Sequence, residues 1–206
     1  RTMAQETAPT AAPTAVPLMQ HYRAYTAARE ARDFPQAQTE AVAALAAAEA
    51  SGDARVGILA FNLATLRAFE LNDLAGARAP AQRALAAGGA GVRPASAELI
   101  IQLSELAQNQ ERVRRTLNTV MVTARGDPTA DVDFLYQVAR AWGYAALAAG
   151  REASALEAYT HARDLANRVS GDAVLDRAFA AIEMGALLIV QDRVVQAHEL
   201  FTEAAN

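Results

Sequence analysis

From Leu18 onward one arrangement of apolar and small positions keeps returning. A turn is followed by an apolar residue, and then by small or aromatic residues three, seven and ten positions later. The copies are Phe34, Ala37, Ala41, Ala44; Leu74, Ala77, Ala81, Ala84; and a fainter Val113, Thr116, Val120, Thr123. Two more follow: Glu152, Ala155, Tyr159, Ala162, and Val194, Ala197, Phe201, Ala204. Offsets of three, seven and ten place four side chains on one face of an α-helix, which is the geometry of a core stripe. The copies start at 34, 74, 113, 152 and 194, a spacing of 39 to 42 residues. A near-constant period of this size is expected of a helical solenoid. Each period has room for two helices of about 14 to 16 residues with their turns.

The clearest copy lies in Ala141 to Ala166, where Trp142-Gly143 is followed by Gly150 and then by Ala155, Tyr159 and Ala162. It predicts two antiparallel helices with a tight turn at Gly150-Arg151. Gly150 suits the left-handed end of the first helix, because a residue without Cβ reaches that conformation at little cost. The least regular unit is the third. Arg112, Arg114 and Arg115 crowd its second helix, and Gly126-Asp127-Pro128 stops it. Those arginines read as a solvated face balanced by Glu105 and Glu111.

Composition strengthens the helical reading. Alanine makes up roughly a quarter of the chain, and alanine is both the best helix former and the smallest core residue. No alternating run of β-branched or aromatic residues has strand length. The fold class is all-α.

The remaining composition mainly excludes. The net charge of −4 is spread along the chain, and there is no lysine, so no basic stripe for nucleic acid or acidic lipid forms. Cysteine is absent, which removes disulfides and thiolate chemistry. No apolar run approaches the ~20 residues that span a bilayer. His21, His161 and His198 fall on different units without the spacing of a zinc site, and are expected at the surface or rim. No nucleophile elbow or phosphate-binding loop occurs. The chain reads as non-catalytic, without metal or cofactor.

Residues 1–17 stand apart. Pro9, Pro13 and Pro17 recur among Ala and Thr, predicting an extended tether held against a helix surface or a neighbouring copy. Thr2-Met3-Ala4 before Gln5 suits the end of an export-signal cleavage site, with Arg1-Thr2 as a cloning remnant the alternative. This gives the expectation of a periplasmic protein, otherwise a cytoplasmic one.

The motifs resemble tetratricopeptide repeats. The resemblance rests on Trp142-Gly143 with Gly150, Ala155, Tyr159 and Ala162, and on Met184-Gly185 with Ala197, Phe201 and Ala204. Asn62-Leu63-Ala64 is similar to the Asn-Leu-Gly/Ala of longer units, with one extra residue assigned to the turn before Ala77. HEAT-like repeats share the length and lack the small-aromatic-small pattern. The resemblance implies a right-handed solenoid of about five helix pairs, over residues 18–50, 55–88, 95–125, 130–168 and 173–206. It further implies a concave groove lined by first helices that takes a peptide or protein segment. That nominates Tyr22 and Arg29; Asn62, Thr65 and Phe69; Glu98, Glu105 and Gln108; and Gln137, Arg140 and Tyr144. Within it, Asn62 would bond a peptide backbone, Arg140 would pair with a ligand carboxylate, and Tyr22 and Tyr144 would cover apolar side chains. A small-ligand sensing domain and a structural oligomerisation domain are the alternatives.

Residues 178–190 leave few polar positions, so this helix is expected to be covered on both sides. Its position near Asn206 raises two expectations: a longer natural chain, for example the N-terminal part of a larger cell-envelope protein, or a homodimer formed through the last unit.

Overall fold

A computed structural model describes residues 17–106, 110–170 and 173–205. The tether expectation therefore lies outside the described residues, apart from Pro17, as does Gln108. All regular structure among the described residues is helical: α1 (Leu18–Glu30), α2 (Phe34–Ser51), α3 (Val56–Thr65), α4 (Leu74–Ala87), α5 (Pro94–Glu105), α6 (Gln110–Gly126), α7 (Val132–Ala148), α8 (Glu152–Ala166), α9 (Ala173–Val190) and α10 (Val194–Ala205). A π-helical segment, Leu66–Glu70, continues α3 without a break.

Four of the helix pairs share one turn. Arg32, Asn72, Gly150 and Asp192 each adopt a positive φ of 56° to 69° two residues before the second helix begins. In three of them the next backbone N–H donates to a carbonyl five residues back, as from Asp33 to Ala28, Arg151 to Ala146 and Arg193 to Leu188. This closes the orphan carbonyls of the first helix and reverses the chain. Asp33 and Asp73 then cap the second helix by accepting from the N–H of Gln36 and Gly76.

The second pair departs by one residue. The segment from Ala64 to Ala77 is one residue longer than that from Gly143 to Ala155. The π turn absorbs this residue inside the helix, where Leu71 N–H bonds Leu66 O five positions back. The expectation that the turn held it is corrected here. In α4, Pro80 removes the N–H that would have reached the Gly76 carbonyl. The Arg67 guanidinium donates to that carbonyl instead, at 2.9 Å.

Small residues set the spacing between helices. Ala37, Ala44, Ala77, Ala81, Ala84, Ala155 and Ala162 are completely or almost completely buried. Gly143 meets the Tyr159 ring so closely that a Cβ would lie 2.2 Å from it, and Gly185 holds the same relation to Phe201. Trp142 is fully buried and donates from Nε1 to Ser154 Oγ at 3.2 Å.

Three expectations change. The third second helix, α6, buries Val113, Leu117, Met121 and Ala124 rather than Thr116, Val120 and Thr123. Its face is turned by about one residue, because Leu117 and Met121 lose more than threonine when left in water. Second, α5 packs chiefly against α4 and only loosely against α6. Third, α9 is covered on one side only. Ala180, Ala181, Leu187 and Leu188 are buried, whereas Leu175, Phe179, Ile182 and Ile189 are about half exposed. Val194, which begins the stripe of α10, is also exposed.

Candidate functional site

Phe69, nominated after α3, and the three residues nominated on α7 converge. Gln137, Arg140, Ala141 and Tyr144 occupy one face of α7, at spacings that return to the same side of a helix. Opposite them stand Ala68 and Phe69 of the π segment and Asn72 of the turn. Together they enclose a cavity of about 240 Å³. The wide π turn carries Phe69 across to α7, where its ring meets Phe134 edge-on at 5.4 Å.

Arg140 is the electrostatic centre of this wall. Its Nε donates to both carboxylate oxygens of Glu183 on α9, each at 3.1 Å, and Nη2 also reaches that carboxylate. The guanidinium lies 5.6 to 5.8 Å from the ring centres of Tyr136, Tyr144 and Phe179. Burial works against the arginine's charge, and the hydrogen-bonded Glu183 carboxylate outweighs it, so the guanidinium pKa is raised. Tyr144 donates its hydroxyl to Glu183 and accepts from Arg140 Nη2 at 3.3 Å. Burial, then the bond to Glu183, holds the phenol proton above its usual range.

The carboxylate expected from a ligand is thus supplied within the chain. With Arg140 neutralised by Glu183, the cavity presents the amides of Gln137 and Asn72, the Tyr144 hydroxyl and the Phe69 ring. Such a wall suits neutral polar groups and apolar side chains. It contains no nucleophile set beside a base. Among the described residues no cluster of His, Cys, Asp and Glu is fit to hold a metal ion. No helix there is long and apolar enough to cross a membrane.

The other nominated residues lie elsewhere. Tyr22 lines a separate cavity of about 140 Å³ with Leu18, Met19 and Ile58. Arg29 donates to the Tyr25 hydroxyl at 3.3 Å. Asn62 is half-buried, and Thr65 donates its hydroxyl to carbonyls of its own helix. Glu98 is exposed, and Glu105 pairs with Arg78 of α4 at 2.8 Å rather than balancing the arginines of α6. Of these, Arg114 sits between Glu111 and Glu157.

Sequence reasoning missed Asn72, Glu183 and Phe179. Glu183 carried a usable signal, since it follows Arg140 by 43 residues, close to one period. His161 is also corrected from rim to interior. It is 6% exposed, stacks on Trp142 at 5.9 Å, and bonds Asn118 Oδ1 through Nε2 at 2.7 Å. A second, more apolar cavity of about 330 Å³ opens where α5 and α6 separate, with Leu99, Val120, Phe134 and Leu135 in its wall. When the sequence is compared with known proteins, no protein-family model and no curated sequence matches it.

Proposed function

We propose that the chain is a non-catalytic interaction module: a right-handed solenoid of the tetratricopeptide kind that holds a peptide or protein segment against its first helices. The reading is carried by one observation. Phe69, Gln137, Arg140 and Tyr144, nominated from separate repeats, line a single cavity between the π segment and α7. The solenoid itself is supported by polar contacts that link neighbouring pairs one period apart. Arg114 to Glu157, Arg140 to Glu183 and His161 to Asn118 each span 43 residues. The bound segment offers backbone amides to Gln137 and Asn72 and an apolar side chain to Phe69 and Tyr144. The Ala/Thr/Pro stretch of residues 1–17 supports a place in the bacterial periplasm.

The test is selection of binding peptides from a displayed random library, followed by calorimetry. Selected peptides should lose at least ~10-fold in affinity for a Gln137→Ala/Tyr144→Ala variant of unchanged melting temperature. Equal affinity for both proteins would refute the site. The apolar cavity between α5, α6 and α7 favours a second reading, a domain sensing a small apolar ligand. In that case an apolar compound raises the melting temperature of the wild type and not of a Val120→Trp variant.

A further inference from the structure

The exposed side of α9 carries a regular stripe. Leu175, Phe179, Ile182, Ala186 and Ile189 follow at intervals of four, three, four and three residues, and all five are exposed. At the positions 42 residues earlier, α7 carries Asp133, Gln137, Arg140, Tyr144 and Leu147. Gly143 and Gly185 differ by the same 42 residues and make equivalent contacts with Tyr159 and Phe201. The two helices are therefore in register, and the comparison is position for position. Where α7 offers mostly polar groups to the solvent side, α9 offers aliphatic and aromatic ones.

The four-three spacing is that of a coiled-coil seam, whose complement is another helix carrying the same repeat. We infer that α9 pairs with α9 of a second copy of this chain, antiparallel across a two-fold axis near Ile182. A two-fold contact is self-complementary, so the stripe needs no other surface. It would set Leu175 against the partner's Ile189 and Ile182 against its own counterpart. Ala186, beside Gly185, leaves room for the helix axes to come close.

Side-chain size selects the direction. Antiparallel pairing sets the Phe179 ring beside the partner's Ala186, large against small. Parallel pairing would set ring against ring and leave a gap between the two Ala186 side chains. The area sets the strength. The four large apolar stripe residues keep 49% to 55% of their surface exposed. At roughly 100 Å² each, they supply roughly 400 Å² per copy, the size of a small interface that dissociates on dilution. Arg140 reaches over the Phe179 ring, so the seam begins where the candidate cavity ends, and the pair would place a cavity on each flank.

The experiment uses the full chain and its lack of cysteine. Light scattering across a concentration series should give twice 21.8 kDa. Ile182→Arg should weaken association by more than ~30-fold, the effect of losing a central contact, with unchanged helical circular dichroism. Under mild oxidation Ile182→Cys should crosslink to itself. Leu175→Cys alone should not, but should crosslink when mixed with Ile189→Cys. A single-chain mass at every concentration would overturn the proposal. So would a dimer that Ile182→Arg leaves intact, or self-crosslinking of Leu175→Cys. The cysteine variants decide between the two outcomes even if the arginine variant fails to fold.

Discussion

Two glycines of the same hairpin are needed for different reasons. Gly143 is a matter of space, because a Cβ would enter the Tyr159 ring at 2.2 Å. Gly150 is a matter of backbone, since nothing lies near its absent Cβ while its φ is +69°. Gly143→Ala should therefore cost about 2 to 3 kcal/mol through overpacking, and Gly150→Ala about 1 kcal/mol through the left-handed conformation. Chemical denaturation of the two variants checks the order. His161 supports a second residue-scale prediction. Burial, then the Arg125 charge, lowers its pKa from 6.5, although Glu157 and Asp164 oppose this. Below pH 6.5 the unfolded chain takes up a proton that the folded chain refuses, so stability falls as the pH drops through this range. The melting temperature measured between pH 7 and 5 should decline less in His161→Gln than in the wild type.

At the scale of the element, the π turn, Pro80 and Arg67 form one linked set. Pro80 strips the Gly76 carbonyl of its helical donor, and Arg67 replaces it from the adjoining helix. Arg67→Met should cost about 1 to 2 kcal/mol, since that carbonyl loses its partner. In a Pro80→Ala background the restored N–H takes over, and the penalty should shrink by about 1 kcal/mol in a double-mutant cycle. The turns belong to this scale also. Asn and Asp tolerate the left-handed conformation better than most residues, which is why Asn72 and Asp192 occupy the position that Gly150 holds in the fourth pair. Arg32 adopts it without that advantage, fixed by the bonds of Arg32 and Asp33 N–H to the end of α1.

For the whole molecule the decisive contacts join one helix pair to the next. Glu183 is 10% exposed and holds Arg140 of the preceding pair, whose fork would otherwise lie partly buried and unpaired. Glu183→Ala should destabilise by about 2 to 4 kcal/mol and loosen the α7–α9 contact. Hydrogen exchange along α9 and α7 would register this as faster exchange in both helices. Arg140 therefore acts on the candidate cavity mainly through its shape, while Gln137, Asn72, Tyr144 and Phe69 are left to meet a ligand.

The all-helical class, the hairpin at Gly150 and the alanine faces of α2, α4 and α8 were legible from the chain alone. Each depends on neighbours within about four residues, and local periodicity records such relations faithfully. Four of the residues that line the cavity were also nominated, because they follow a repeat. Tertiary structure decided the rest. It turned α6 to bury Leu117 and Met121, sank His161 between Trp142 and Asn118, gave Arg140 an internal carboxylate and left one side of α9 open. Those outcomes depend on which helix faces arrive opposite each other across 40 or so residues. A stripe of apolar positions states that a face must be covered; only packing states by what.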